Sequence, residues 1–236
     1  MIDITPLGGL GRLDNDWLAA RYHFSFAGYR NPDRRGLGPL LVWNDDTIQP
    51  GTGFDPHGHR DMEIITYVRK GAITHSDNLG NEGRTAAGDV QVMSAGTGIV
   101  HAEYNREDTE TTLFQIWIEP DRAGHAPRWE TRAFPKTPLD DGAALPVLAS
   151  GRDAHAGNDA LLIHQDAAVL GGLLAPGATV MLDLSGGRKA YVVVARGKAE
   201  INGRPAPERS GAMVRDVDSL IIVAEDETEI VVVDVP

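Results

Sequence analysis

Two stretches of the chain, one in each half, share a single pattern of turn and apolar residues. The first reads "QPGTGFDPHGHRDMEIITYVRKG" and the second "APGATVMLDLSGGRKAYVVVARG". Gly51 aligns with Gly177 and Gly71 aligns with Gly197, an offset of 126 residues at both positions. A constant offset between stretches of matching strand character indicates tandem copies of one structural unit. The repeat therefore predicts two similar halves.

The pattern within each half is typical of β-strands. Short runs rich in β-branched and aromatic residues alternate with clusters of Gly, Pro, Asp and Asn. These runs are residues 22–26, 40–43, 63–68, 90–93, 111–119, 190–195, 220–224 and 229–235. No window has a sustained helical period, so we predict an all-β protein. Residues 120–160, rich in Pro, Gly, Asp and Ala, are interpreted as the linker between the halves.

The composition excludes several classes of protein. The 236 residues carry a formal net charge of −12, which disfavours direct nucleic-acid binding because phosphates require a basic face. With no cysteine there are neither disulfides nor thiolate ligands. No apolar stretch approaches the roughly 20 residues of a membrane span, and the first residues do not resemble a signal peptide. We therefore expect a cytoplasmic protein that does not bind membranes.

Two motifs each place potential metal ligands two residues apart. His57 and His59 precede one β-branched run, and "HAEYN" supplies His101 and Glu103. Residues i and i+2 of a strand share a face and lie about 6.6 Å apart along it. Two such strands would combine three imidazoles with one carboxylate, a set that suits a divalent first-row metal such as Fe, Mn, Co, Ni or Zn.

The second copy lacks these imidazoles. At the offset of 126 residues, His57 corresponds to Asp183 and His59 corresponds to Ser185. The strand pattern is retained without the ligands, so we expect one metal site, in the first half. Histidines outside the motifs are expected to be solvated or to cap loops, namely His23, His125, His155 and His164.

The two motifs resemble the paired motifs of cupins. "GTGFDPHGHRDME" has the spacing G-x5-H-x-H-x3-E of the first motif. "GDVQVMSAGTGIVHAEYN" resembles the second, with Ser94 where proline is usual and two additional residues before the histidine. Together with "PHGHRDMEIITYV", this wording is similar to that of the pirin family, and the resemblance extends over nearly the whole chain, including "RKAYVVVARGKAEING".

The resemblance implies two tandem cupin barrels, each a double-stranded β-helix of the jelly-roll type. Residues 1–130 would form the N-terminal cupin with the metal site, and residues 131–236 the C-terminal cupin without metal ligands. The implied ligands are His57, His59, His101 and Glu103, and the implied metal is Fe(II).

Two other residues remain open as contributors. Glu63 is a ligand position in many other cupins, but on an unbroken strand it would lie about 13 Å from His59. A bend at Arg60-Asp61 would bring it closer. His75 is expected to line the pocket or to support a ligand. Three large residues are expected to pack in the core, with the lining of an aromatic pocket as the alternative for one of them: Met93, Phe114 and Trp117.

The resemblance implies two classes of function. Pirin-like proteins include quercetin 2,3-dioxygenases, which predicts an oxidoreductase that cleaves a flavonol with O₂, with Glu103 as the general base. Other members are transcriptional co-regulators, which predicts a metal-binding protein that acts through protein partners. We favour the enzyme, with a small aromatic substrate. The oligomeric state stays open, and closed barrels are compatible with a monomer.

Overall fold

The computed structural model describes all 236 residues and is built almost entirely of strands. Its helical segments are three 3₁₀ turns, Leu7–Gly9, Asp153–His155 and Ser185–Gly187, and none has the length and apolar character needed to cross a membrane. The all-β prediction is thus confirmed. The strands are β1 (Ile2–Thr5), β2 (Gly11–Asp14), β3 (Leu18–Tyr22), β4 (Leu40–Ile48), β5 (Gly53–His59), β6 (Glu63–Lys70), β7 (Ala72–Asp77), β8 (Glu82–Ala86), β9 (Val90–Ser94), β10 (Ile99–Tyr104), β11 (Thr111–Ile118), β12 (Arg128–Arg132), β13 (Val147–Ser150), β14 (Leu161–Leu162), β15 (Ala168–Leu174), β16 (Thr179–Asp183), β17 (Lys189–Arg196), β18 (Ala199–Ile201), β19 (Arg204–Ala206), β20 (Gly211–Val214), β21 (Ser219–Ala224) and β22 (Thr228–Val235).

The chain divides into two compact units. The N-terminal unit comprises Gly11–Phe134 and Leu161–Gln165, and the C-terminal unit comprises Met1–Leu10, Pro135–Ala160 and Asp166–Pro236. β1 pairs with β20 and so lies in the C-terminal unit, while β12, which spans the expected division at 130/131, pairs with β9 and lies in the N-terminal unit. Residues 120–160 are also more than a linker, since β12 pairs with β9 and β13 pairs with β15.

Each unit contains two antiparallel sheets with matching strand orders. In the N-terminal unit the orders are β12-β9-β6-β11-β4-β3-β2 and β5-β10-β7-β8. In the C-terminal unit they are β1-β20-β17-β22-β15-β13 and β16-β21-β18-β19. Read from the edge strands β12 and β1, the two larger sheets have corresponding strands in the same order, with β9, β6, β11 and β4 matching β20, β17, β22 and β15. This is the arrangement predicted for tandem cupin barrels. β1 takes the edge position in the C-terminal unit that β12 takes in the N-terminal unit.

Most predicted strands are present, but residues 22–26 are an exception. β3 ends at Tyr22, and the aromatic residues after it enter a loop in which the Phe26 amide bonds to Tyr29 O. Ala27 in this loop has a positive φ of 47°. His23 and Phe24 are nevertheless fully buried. The apolar run therefore indicates burial, but the prediction of a strand over residues 22–26 is wrong.

Candidate metal centre

The three histidines of the two motifs lie together on the four-stranded sheet of the N-terminal unit. β5 and β10 are neighbours, with His57 opposite His101 and His59 opposite Ile99. One donor atom from each of the three imidazoles lies within 4.8 Å of the other two. The ring centroids are 4.5 to 5.0 Å apart. Strand pairing thus brings the His57/His59 motif and His101 of the second motif together.

Glu103 lies beside this cluster but is oriented differently. A register shift between His101 and Glu103 places Glu103 opposite Phe54 on β5 and opposite His75 on β7. Its carboxylate belongs to a second group of close donor atoms, shared with His75 and His101. Bulges often redirect side chains beside functional sites. The structure therefore brings the three predicted histidines together and holds the carboxylate in a neighbouring position.

Three polar side chains of the opposite sheet hold the Glu103 carboxylate. Gln91 Nε2 donates to Oε1 at 2.5 Å and Gln115 Nε2 donates to Oε2 at 2.7 Å, while Thr66 Oγ1 lies 3.5 Å from Oε1. Burial raises the pKa of Glu103 to about 7, although the hydrogen bonds from Gln91 and Thr66 lower it. This carboxyl group is consequently poised to exchange a proton near neutral pH.

Hydrogen bonds behind His101 fix which of its nitrogens is free. Asp77 Oδ2 lies 2.9 Å from His75 Nε2, and His75 Nδ1 lies 3.4 Å from His101 Nδ1. Burial alone raises the pKa of Asp77, but hydrogen bonds from His75 and Asn81 lower it below its ordinary value, so this group accepts. His75 therefore donates from Nε2 and accepts at Nδ1, and His101 donates from Nδ1.

The remaining nitrogen, His101 Nε2, tests whether these residues fit a metal. It is buried and has no hydrogen-bond partner in the protein. Such atoms are rare in folded proteins and call for an explanation, for which a bound ion is one recognised cause. A hydrogen bond from the other ring nitrogen is also the usual support of a metal-binding imidazole. The residues fit a metal ion.

The electrostatics of the other imidazoles agree with this fit. Burial and then the neighbouring imidazoles lower the pKa of His101 to about 3, and burial with His57 lowers the pKa of His59 to about 4. His57 Nδ1 donates to Asp55 O at 2.7 Å, which leaves Nε2 with its lone pair. Neutral imidazoles are the form that binds metals, so protons compete weakly for this site.

Glu63 belongs to neither group of donor atoms. Asp61 has a positive φ of 47°, so the bend anticipated at this point exists. Glu63 nevertheless accepts a hydrogen bond from Ser94 Oγ at 2.7 Å and contacts His164 Nδ1 at 3.1 Å. Ser94, which stands where proline is usual in the second motif, thus holds the Glu63 carboxylate outside the histidine cluster.

Two of the four histidines expected to be solvated are in fact buried. His23 has no exposed surface, and His125 is 9% exposed. The ring of His125 stacks on that of His164 with centroids 3.9 Å apart. The expectation failed because it rested on position in a loop, and loop residues of this unit pack inward.

A cavity of about 230 Å³ opens onto the histidines. Its floor includes His57 and His59, and Trp117 meets the ring of His59 edge-on at 5.0 Å. Met93 and Phe114 are core residues as expected, whereas Trp117 lines the cavity. The walls are mostly apolar and aromatic, and they consist of Leu18, Ala20, Tyr22, Phe26, Phe54 and Trp117. Besides the two histidines, the polar side chains in the lining are Asn44, Asp46 and Gln115.

The polar residues around the site were missed at the level of sequence. Gln91 and Gln115 are single polar residues within apolar runs, Asn44 begins the polar run 44–47 of β4, and all three are buried. A buried polar residue within an apolar strand is a signal for function or for a buried network. That signal could have been found once the inward-facing positions were assigned.

Fold and site together define a bicupin with a candidate metal centre in its N-terminal barrel. The pirin family model matches residues 8–118, and the model described as the quercetinase C-terminal cupin domain matches residues 147–235. The pirin-like protein of Caulobacter vibrioides is 53% identical over 234 residues, covering 99% of both chains. The chain belongs to the pirin family.

Two Escherichia coli comparisons extend this relationship. The quercetin 2,3-dioxygenase of the K12 strain is 36% identical over 237 residues and covers 100% of this chain and 99% of its own length. The crystal structure of the bacterial pirin YhhW in complex with nickel(II) superposes with a TM-score of 0.91 at 36% identity, covering 100% of this chain and 99% of that one. A divalent metal site is therefore consistent with both the donor set and a solved relative.

Proposed function

We propose that this protein is a metal-dependent dioxygenase that cleaves a flavonol such as quercetin with O₂. The observation that carries the proposal is the cavity that ends on His57 and His59 and has aromatic walls. Catalytic sites are typically concave and largely apolar, with a few convergent polar groups. The quercetin 2,3-dioxygenase name of the Escherichia coli relative supports the same activity.

His57, His59, His101 and Glu103 would hold the metal, which we propose to be Fe(II). A bound divalent metal would act as a Lewis acid toward a substrate hydroxyl and would favour its deprotonation. The imidazoles contribute neutral nitrogen donors, and the Asp77–His75 pair keeps the lone pair of His101 Nε2 directed at the site. Nickel(II), found in the solved relative YhhW, is the main alternative ion.

Glu103 is the proposed general base. Once loosened from the metal, its carboxylate would accept the proton of the substrate hydroxyl. In the metal-free protein, burial raises the pKa of Glu103 to about 7. Gln91 and Gln115 would fix the carboxyl group during the transfer, since each donates to one of its oxygens. The aromatic walls, including Phe54 and Trp117, would exclude water and orient the ring system.

The cavity volume limits how a flavonol would fit. About 230 Å³ exceeds the roughly 150 Å³ that holds one benzene and is below the roughly 300 Å³ at which pockets for drug-sized ligands begin. A fused two-ring system with its reacting hydroxyl at the histidines matches this space. The third ring of a flavonol would extend toward the mouth.

The first test is oxygen consumption with quercetin. Protein assayed for metal and reloaded with Fe(II) or Ni(II) is compared with His101→Ala treated in the same way. Metal-dependent O₂ uptake, with loss of the visible absorbance of the flavonol, is expected in the parent alone. A metal-loaded parent that consumes no O₂ would overturn the proposal and favour the metal-binding regulator that acts through protein partners.

The role of Glu103 has a separate test. In Glu103→Gln the proton acceptor is lost while the side-chain size is kept, so we expect kcat to fall by about 100-fold or more, within the range for a lost general base. Some metal should be retained through the three imidazoles. A variant with parental kcat would show that Glu103 is not the base.

A further inference from the structure

β4 carries two consecutive acidic residues that face opposite sides of the sheet. Asp45 is ion-paired with Arg69. Asp46 is 2% exposed and lines the cavity above the histidines. Its cross-strand neighbours on β3 and β11 are Ala20 and Leu113, which offer no side-chain hydrogen bond. One acid is thus part of a structural ion pair, and the other is a buried carboxyl on the cavity side of the strand.

Asp46 Oδ1 has no hydrogen-bond partner in the protein. Leaving a buried polar atom unpaired is unfavourable, so such groups are rare unless a ligand or water completes their hydrogen bonds. Burial, with Asp45 and Glu103 adding negative charge, raises the pKa of Asp46 to about 8. In its neutral form the carboxyl can donate as well as accept a hydrogen bond.

Asn44 repeats this arrangement two residues earlier on the same face of β4. It is 4% exposed, lines the same cavity, and its Oδ1 is also without a partner. A carboxamide presents one acceptor and one donor. Two side chains on one face of β4 therefore line a mostly apolar and aromatic cavity, and each carries a buried polar atom without a partner.

The fold itself does not require these two residues. In the C-terminal unit, β15 takes the position of β4, and Leu170 and Gly172 lie at the offset of 126 residues from Asn44 and Asp46. Their pairing matches as well, since Asp46 lies opposite Leu113 on β11 and Gly172 lies opposite Ile230 on β22. The same strand is thus built with no polar side chain at either position.

We propose that Asp46 and Asn44 form a recognition subsite on the β4 wall of the cavity, which binds ring hydroxyl groups of an aromatic substrate. The inference rests on the proposed function and assigns its substrate class as polyhydroxylated aromatic compounds. The aromatic walls pack against the rings, and the two β4 side chains select the hydroxyl pattern. A site built to hydrogen-bond a substrate hydroxyl strongly rejects analogues that lack it, because its own buried groups are then left unpaired.

The test is a binding experiment under argon, which separates recognition from turnover. Metal-loaded protein of assayed metal content is titrated with quercetin and with flavonols from which each ring hydroxyl is missing in turn. Quenching of tryptophan fluorescence reports binding, since Trp117 lines the cavity. The variants are Asp46→Leu, which removes the polar group, and Asp46→Asn, which keeps a hydrogen-bonding group of the same size. Thr47→Val on the opposite face of β4 is the matched control.

In the parent, loss of one particular hydroxyl should raise Kd by about 10-fold or more, as for a hydrogen bond to a buried group. Asp46→Leu should raise Kd for quercetin by a similar factor. For this variant, the analogue without that hydroxyl should bind as tightly as quercetin. Asp46→Asn should retain part of the preference, and Thr47→Val all of it. The subsite would be overturned if each missing hydroxyl raised Kd by the same factor in Asp46→Leu as in the parent. This comparison requires equal metal content and a circular dichroism spectrum of the variant that matches the parent.

The outcomes separate the subsite from the proposed activity. Hydroxyl-selective binding that depends on Asp46, in a protein that consumes no O₂, would support the subsite and overturn the dioxygenase. O₂ consumption with an Asp46-independent hydroxyl preference would do the reverse. A parent that binds none of the flavonols would overturn both.

Discussion

The interiors of the two units differ along one row of paired residues. In the N-terminal unit, strand pairing aligns four polar side chains across β4, β11, β6 and β9: Asn44, Gln115, Thr66 and Gln91. In the C-terminal unit, the corresponding pairing across β15, β22, β17 and β20 aligns Leu170, Val232, Val192 and Ala212. Each member of the second row is buried in the apolar core of its unit.

This difference separates what the fold needs from what the site needs. The apolar row is sufficient for a barrel, because burial of aliphatic side chains drives folding. The polar row gives up part of that stabilisation and recovers it only through a partner, since Gln91 and Gln115 both donate to Glu103. A buried polar row retained in one copy of a repeat therefore indicates a function in that copy.

Removing a metal ligand should have the largest effect. His101→Ala is expected to lose nearly all bound metal and, with it, all O₂ uptake. The fold should remain, because the C-terminal unit builds the same barrel without these imidazoles. Metal analysis by mass spectrometry and far-UV circular dichroism are the two measurements. Global unfolding of the variant would mean that the comparison between the units is misleading.

Changing the residue behind His101 should have a smaller effect on the same property. In Asp77→Asn the amide can donate to His75 Nε2, which would reverse the tautomers of His75 and His101 and place a proton on His101 Nε2. We expect metal affinity to fall by about 10- to 100-fold, the usual range for loss of an outer hydrogen bond. Competition with a chelator measures it. An unchanged metal Kd would contradict the assigned tautomers.

Replacing Glu103 together with its three hydrogen-bonding partners by apolar residues should remove function at little cost in stability. Glu103→Leu alone leaves two buried amides unpaired and should cost about 1–3 kcal/mol of unfolding free energy. Adding Thr66→Val, Gln91→Leu and Gln115→Leu should recover most of that loss, because replacing both sides of the hydrogen bonds to Glu103 by apolar groups is close to neutral. Urea unfolding of the metal-free variants tests this. If the combined variant is less stable than Glu103→Leu, the polar row is a structural requirement.

The last expected effect is a dependence of stability on pH. Asp46 has a folded-state pKa of about 8, well above the ordinary Asp value. As pH rises from about 4 to about 8, the unfolded state releases this proton while the folded state keeps it, so the unfolding free energy falls. Asp46→Asn lacks that loss, and its advantage in Tm over the parent should grow across this range and then level. A difference in Tm that is constant with pH would contradict the raised pKa.

Much of the fold could be predicted from local pattern. The strands at 63–68, 90–93 and 190–195 were identified because β-branched runs bounded by turn residues report a strand directly. Residues 22–26 failed because an apolar run reports burial, and burial is also compatible with a packed loop. The sequence does not indicate that β1 belongs to the C-terminal unit, because its partner β20 is about 210 residues away along the chain.

The sequence by itself determined the repeat, the all-β class, the metal-ligand candidates His57, His59 and His101, and the absence of their counterparts from the second copy. These are properties of spacing and composition along the chain. Only the tertiary structure decided that Glu103 is held by Gln91 and Gln115, that Glu63 binds Ser94, and that Asp46 faces the cavity. Those contacts join residues from different strands and sheets. Their physical basis is strand register and a bulge, neither of which the local sequence encodes.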